Sequence, residues 1–295
     1  MRRAPLLLSA LICTIWAAPA PGAEHAMAMH LQAREQLRRN QVAAAMPLFE
    51  RCVALEPRSS KHRQWLARAI GLQTAQKGIA AGLTGVNKVK AELEKAIELD
   101  PNNIEARHDL AVLYKVVPGL FGGSNAKAAE QVAIIRQRNP ALATQIEADF
   151  LARDKKTREA LTLLQESIRL NSARPRPHVS MAMLHQRLSE WERAFAALDR
   201  ALTIDPRYPI ALYHVGRTAA LSGTQLERGE KALRTYMGLA IRPELEYPPL
   251  PGAHHQLGVI LERKGNREAA RAEYKKALSM QPDHKDARAA LAKLK

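Results

Sequence analysis

Aromatic residues make up only 4% of this 295-residue chain, and cysteine occurs twice. So few aromatics argue against a sheet sandwich, whose core draws heavily on large flat and β-branched side chains. Ala, Leu, Arg, Glu and Gln dominate instead, residues that favour helices and close helix–helix packing. Cys13 falls in an N-terminal leader, so Cys52 is left alone and cannot form an intramolecular disulfide. The fold must then rest on packing, with Cys52 read as a small core residue. Beyond the leader no run is apolar enough to cross a bilayer. There is no G-x-S-x-G, no H-E-x-x-H and no cysteine with a histidine partner, so no catalytic site is expected. Acidic residues are also in deficit, 29 against 45 Lys and Arg.

The first 23 residues read as a secretory signal. Arg2 and Arg3 supply the positive start and residues 6–17 an apolar core too short to span a membrane. A small-residue, proline-containing stretch follows, with cleavage easiest after Gly22 or Ala23. Ile12 before Cys13 argues against a lipid anchor. The expectation is a leader at 1–23 and a single folded domain at 24–295, located in the periplasm or outside a bacterial cell. Without Arg2 and Arg3, the 45 basic residues fall to 43 against 29 acidic ones, a net charge of +14. A basic balance ordinarily raises nucleic acid as a partner. Export makes anionic envelope polymers, lipid headgroups or acidic proteins the accessible counterparts, so no nucleic acid is expected.

Helical periodicity runs through the remainder, broken by Asp-Pro, Glu-Pro and Asn-Pro pairs. From Gly258, the residues at offsets of 12, 16, 19 and 24 are Ala270, Tyr274, Ala277 and Pro282. The same offsets from Ala182 give Ala194, Leu198, Ala201 and Pro206, and from Ala148 they give Ala160, Leu164, Ser167 and Ser172. From Ala33 they give Ala45, Phe49, Cys52 and Pro57. Each offset has a physical reason. The two small residues mark the closest crossing of a helix pair, where extra bulk would push the helices apart. The large residue fills the space between one unit and the next, and the proline ends the second helix. Three units depart from the spacing. One is displaced after Gly71 with an insert at 77–85, one after Ala111 with an insert at 118–124, and one by a single residue after Gly216. A proline-punctuated connection follows the last of these, through Pro251. Seven units result, closed by a polar capping helix at 284–295.

A period of this kind resembles the tetratricopeptide-repeat (TPR) family over roughly residues 26–295, and the inserts resemble those of secreted TPR proteins of Gram-negative bacteria. The resemblance implies an all-α, right-handed superhelical solenoid of about seven helix hairpins with a C-terminal capping helix. Its concave face would be lined by the first helix of each hairpin.

On that register, three positions per first helix face inward. Arg38, Arg153, Arg187 and Arg263 recur five residues after the small residue, Arg217 follows it by one, and Arg68, His108 and Tyr213 precede it by three. These eight residues are the candidate partner-binding set. The groove should be mixed cationic and apolar, suited to an acidic protein or extended peptide. The chain lacks the Lys and Asn set by which cytosolic chaperone-type TPR domains hold a C-terminal carboxylate, so that function is not carried over.

The insert at 119–124 is glycine-rich, but no lysine precedes Ser124 and no strand leads into it, so it is not a phosphate loop. It is either an extended turn or a contact site through Leu120 and Phe121. The histidines show no ligand spacing, and neither a metal nor a cofactor is expected. His254 and His255 point about 100° apart on a helix, while His25 and His30 sit near a fraying end. Trp65 and Trp191 fit packing positions. The sequence thus supports a non-catalytic scaffold that binds a partner in its groove. A second reading, a small-molecule or lipid-binding accessory of a transport or envelope-biogenesis system, would require a closed apolar pocket under the 118–124 insert. Oligomeric state is not legible.

Overall fold

The computed structural model describes residues 21–78, 82–242 and 244–294, so residues 1–20 of the expected leader lie outside the described residues. The described residues form fifteen α-helices and no strand. Seven antiparallel hairpins follow in order: α1 (Pro21–Arg38) with α2 (Val42–Leu55), α3 (Ser60–Lys77) with α4 (Gly82–Leu99), and α5 (Ile104–Val116) with α6 (Asn125–Arg138). Then come α7 (Pro140–Arg153) with α8 (Thr157–Leu170), α9 (Pro175–Arg187) with α10 (Trp191–Ile204), α11 (Pro209–Ser222) with α12 (Leu226–Met237), and α13 (Leu250–Arg263) with α14 (Arg267–Met280). The cap α15 (Lys285–Lys293) packs on α14, and each hairpin otherwise packs on its neighbours in the chain. This is the expected all-α stack of hairpins.

Helix starts are written locally. Proline stands in the first turn of α7, α9, α11 and α13, where its missing N–H costs nothing. Ser59, Asn103, Ser124, Asn139 and Asn266 accept a backbone N–H at the starts of α3, α5, α6, α7 and α14.

The small residues sit where the helices cross. Ala33, Ala111, Ala148 and Ala182 are fully buried, as are Ala45, Ala160, Ala194 and Ala270. A Cβ added to Gly258 would lie 2.4 Å from the Tyr274 ring, and one added to Gly216 would lie 2.2 Å from Leu233. The large residues Phe49, Leu93, Leu164, Leu198, Leu233 and Tyr274 are buried at the repeated position.

A second regularity appears only in the backbone. The seventh residue after the small one has positive φ in six hairpins: Asn40, Gly78, Lys155, Ser189, Gly223 and Gly265. This left-handed residue closes the turn between paired helices. In the third hairpin the same position is Pro118, whose ring holds φ at −57°. The ordinary turn is therefore impossible there. A single 3-10 turn, Gly119–Phe121, replaces it, and the left-handed conformation moves to Gly122 at φ 94°.

The other insert behaves differently. α3 and α4 are each 18 residues long where most others are 14, so much of the additional length between Gly71 and Val89 is helical. The hairpin is longer than its neighbours, as expected, but by extending its helices.

Candidate ligand-binding groove

The first helices α1, α3, α5, α7 and α9 line one continuous concave face, and the chain itself enters it. The connection between α12 and α13, described at 238–242 and 244–249, leaves the sixth hairpin and crosses back to the first. It forms a strap over the groove.

The strap is held at several points. Arg34 of α1 donates to the carbonyl of Arg242 at 3.2 Å and to that of Leu245. The Glu246 carboxylate pairs with Arg68 of α3 at 3.0 Å and with Arg176 of α9 at 3.8 Å, linking hairpins far apart in sequence. The Tyr247 ring stacks against Tyr236 and lies 5.8 Å from the Arg38 guanidinium, while its hydroxyl donates to the Ala240 carbonyl. Tyr236 donates to the Pro248 carbonyl from below. Crowding by the groove walls opposes ionisation of Glu246. Arg68 and Arg176, with His108 and Arg34, outweigh it and hold the carboxyl below its usual range.

Arg68 is the hub. Its guanidinium makes a bidentate pair with Asp109 at 2.6 and 2.9 Å, meets Glu246, and lies 4.7 Å above the Trp65 ring. Burial works against its charge, but these carboxylates raise its pKa further. Arg34 stacks on the same Trp65 ring at 4.1 Å; burial and the nearby Arg68 bring its pKa down to about 10.

Three hollows lie along the groove. The first, about 600 Å³, is enclosed by Arg34, Leu37 and Arg38 of α1, Trp65, Arg68 and Leu72 of α3, Val112 and Val116 of α5, and the strap. The second, about 180 Å³, lies against the strap near Glu244 and Glu246. The third, about 670 Å³, runs along α5, α7 and α9 beyond the strap, sharing Val112 with the first and His108, Asp149 and Arg176 with the second. Its border carries Arg153, Lys155, Arg176 and Arg187 against a single carboxylate, Asp149.

The expected set is thus divided. Arg38 and Arg68 border the first hollow, His108 the second and third, and Arg153 and Arg187 the third. Arg187 also donates to the Ala152 carbonyl at 3.1 Å, tying α9 to α7. Arg263 is not among them. Its guanidinium rests beside Gly223 at the turn after α11, two hairpins away from Arg187. Tyr213 is packed edge-on against Tyr236 and under Gly252, with Arg217 beside it. Leu120 is 88% exposed, and the 3-10 turn carrying it packs near α4, on the second helix of the preceding hairpin. No residue of the 118–124 insert lines the apolar hollow, which lies under the strap instead.

The register places Arg34 on the inner face, but the candidate set leaves it out and reads Trp65 as packing only; Asp109 and the strap were missed. One signal was present: Glu244, Leu245, Glu246 and Tyr247 make a locally acidic stretch in a basic chain, inside a connection longer than a hairpin repeat requires. His30 also differs from expectation. Far from fraying, it is fully buried, 3.0 Å from His62, which in turn meets Glu56 at 2.9 Å. Burial, with His62 and Arg34 nearby, lowers its pKa to about 3. His254 pairs with Glu273 and His255 packs on His284, so the adjacent histidines serve different contacts. Among the described residues no group of three or more His, Cys, Asp or Glu is placed to hold a metal ion, and no helix is long and apolar enough to cross a membrane.

Residues 92–137 and 251–284 each match a tetratricopeptide-repeat family model, falling on the third and seventh hairpins with part of α4. These two stretches are tetratricopeptide repeats. No curated protein matches it significantly. Among solved structures it is similar to a TPR protein from Parabacteroides merdae, at 16% identity over 93% of this chain and 99% of that one, with a TM-score of 0.49. It is also similar to the Cut9–Hcn1 hetero-tetramer of the APC/C (13% identity, 89% and 48% covered, TM-score 0.56) and to yeast Tom70 (15%, 87% and 51%, 0.52). The chain spans about half the length of these last two. At such identities the likeness bears on the TPR fold alone.

Proposed function

We propose that this TPR protein is a non-catalytic scaffold that binds an acidic, extended segment of a partner protein in its concave groove. The observation that carries the reading is the strap. Its own chain lies in the groove and is held by side-chain donation to backbone carbonyls, a carboxylate between two arginines, and a tyrosine against a guanidinium. A partner segment would be held by the same interactions beyond the strap, where Arg153, Lys155 and Arg187 stand near one carboxylate, Asp149, and Arg176 already meets Glu246. Arginine suits this task, since its fork pairs with carboxylates and its face tolerates stacking.

The setting we propose is the bacterial periplasm, supported by the leader-like residues 1–23. Mass spectrometry of the exported protein should find an N-terminus near Glu24; an intact Met1 in exported material contradicts this.

The binding test uses two ten-residue peptides, one of glutamate and one of glutamine, each carrying a fluorophore. The glutamate peptide should bind with micromolar affinity and the glutamine peptide at least tenfold more weakly. Arg153→Gln with Arg187→Gln should remove most of that difference. Equal binding of both peptides to the unaltered protein would refute the reading.

A further inference from the structure

We infer that the hollow roofed by the strap is a second binding site, for a small amphiphile with an elongated apolar body ending in a carboxylate. The site is separate from the Arg153–Arg187 stretch and does not depend on the peptide reading.

The hollow has the build of a ligand pocket. At about 600 Å³ it falls within the range of roughly 300–1,000 Å³ typical of small-molecule sites, which are mainly apolar with a few placed polar groups. Its walls differ in chemistry. The α5 wall, Val112 and Val116, is aliphatic, and Leu72 and Trp65 of α3 and Pro249 and Ile241 of the strap continue that surface. The α1 wall is cationic, with Arg34 and Arg38 on either side of Leu37. Three guanidinium groups and the Glu246 carboxylate border the hollow. Behind the lining Arg38 pairs with Glu35 at 2.7 and 3.1 Å and Arg68 with Asp109, so the ligand's anionic end is placed at the guanidinium of Arg34, which strap carbonyls hold. An apolar chain along α3 and α5 with its anionic end against α1 satisfies both walls.

Two further observations fit. Arg34 is buried, and burial with its neighbour Arg68 brings its pKa to about 10, so an anion beside it would favour its charged form. The rim is apolar and open: Leu72 is 46% exposed and Val116 is 40% exposed, although both lie on the concave side. An alkyl chain laid across them removes that surface from water, with a favourable contribution for each buried methylene. The strap encloses the polar end, so the site suits a single molecule taken from solution rather than a membrane surface.

The test titrates the full exported protein with a dansyl-labelled undecanoic acid, then displaces it with dodecanoate, dodecanol and dodecyltrimethylammonium at monomeric concentrations. Dodecanoate should displace at least tenfold more effectively than dodecanol, and the ammonium compound least of all. Leu72→Gln with Val116→Gln, both at exposed positions, should weaken probe binding at least tenfold with an unchanged circular dichroism spectrum. Leu170→Gln, an exposed apolar residue at the end of α8, should have no effect. Arg34→Gln should narrow the gap between dodecanoate and dodecanol. Arg153→Gln with Arg187→Gln, which disables the proposed peptide stretch, should leave dodecanoate binding intact. The inference is overturned if the probe does not bind, if dodecanol competes as well as dodecanoate, or if the Leu72 and Val116 changes have no effect. Adsorption to phosphatidylglycerol vesicles without probe binding in solution also overturns it.

Discussion

Gly258 shows how little room the helix crossings leave. An added Cβ would sit 2.4 Å from a ring carbon of Tyr274, and that ring is fully buried with its hydroxyl donating to Glu262 at 2.7 Å. Tyr274 cannot step aside without losing this bond. Gly258→Ala should therefore destabilise by about 1–3 kcal/mol, and Ala194→Arg, at a fully buried crossing, by more than about 3 kcal/mol. Chemical denaturation checks both. The opposite sign is expected at Ser189, whose φ of 57° is costly for a side-chain-bearing residue. Ser189→Gly should stabilise by a few tenths to about 1 kcal/mol, since relief of that strain exceeds the entropy glycine brings to the unfolded chain. The buried histidines add a pH dependence. His30 and His214 are both held neutral by burial, each with a pKa brought down to about 3. The unfolded chain therefore binds more protons below its ordinary value of 6.5, and stability falls as pH drops below it. The slope is at most about 1.4 kcal/mol per pH unit for each group. The stability from Glu246, whose folded value is depressed, is lost only below its unfolded value of 4.5. Between pH 6.5 and 4.5 the histidines act without it. Over that window His30→Asn with His214→Asn should flatten the fall in denaturation free energy.

The helices and hairpins were largely readable from sequence because each carries its own marks. Small residues at fixed offsets, asparagine and serine caps, and prolines in first turns are local, and they recur where the structure uses them. The connections were less legible. Positive φ at Lys155 and Ser189 leaves no compositional trace, because the hairpin imposes it on residues that do not favour it. Pro118 was visible, but only the recurring left-handed position shows why it forces a different turn. The strap was hidden for another reason: its contacts are with helices some two hundred residues earlier, and no periodicity reports them. Of the proposed groove residues, Arg38, Arg68, His108, Arg153 and Arg187 border the hollows because the register holds within the first helix of each of the first five hairpins, even where an insert displaces the second helix. Arg263 shares their register but lies two hairpins past Arg187, against Gly223. Two element-scale outcomes follow. Phe121→Ser and Leu120→Ser should change melting by under about 0.5 kcal/mol, since Leu120 is almost fully exposed and Phe121 is outside the buried core. If 120–121 contacts a partner, capture should weaken in the same samples; unchanged capture makes the segment a turn only. Glu246→Gln removes the charge that links α3 to α9 and should loosen the strap. Hydrogen exchange should quicken at 239–249 and stay unchanged in α7 and α8.

At the scale of the whole molecule, the central claim is that an acidic segment is drawn into the groove by the arginines beyond the strap. The basic excess acts at a distance, over a Debye length of about 8 Å at physiological salt. Exposed pairs contribute only about 0–1 kcal/mol each, so the signature belongs in the association rate and its salt dependence more than in any single contact. The most direct measurement is stopped-flow association of the labelled glutamate peptide from 20 to about 500 mM salt, a range spanning strong to weak screening. The unaltered protein should show a steep fall in on-rate with salt. Arg153→Gln with Arg187→Gln should lower the on-rate several-fold at low salt and flatten the slope. Adding Arg263→Gln should change the slope little further, because that residue lies apart from the hollow the other two border. An on-rate and salt slope unaffected by the Arg153 and Arg187 changes would contradict the account.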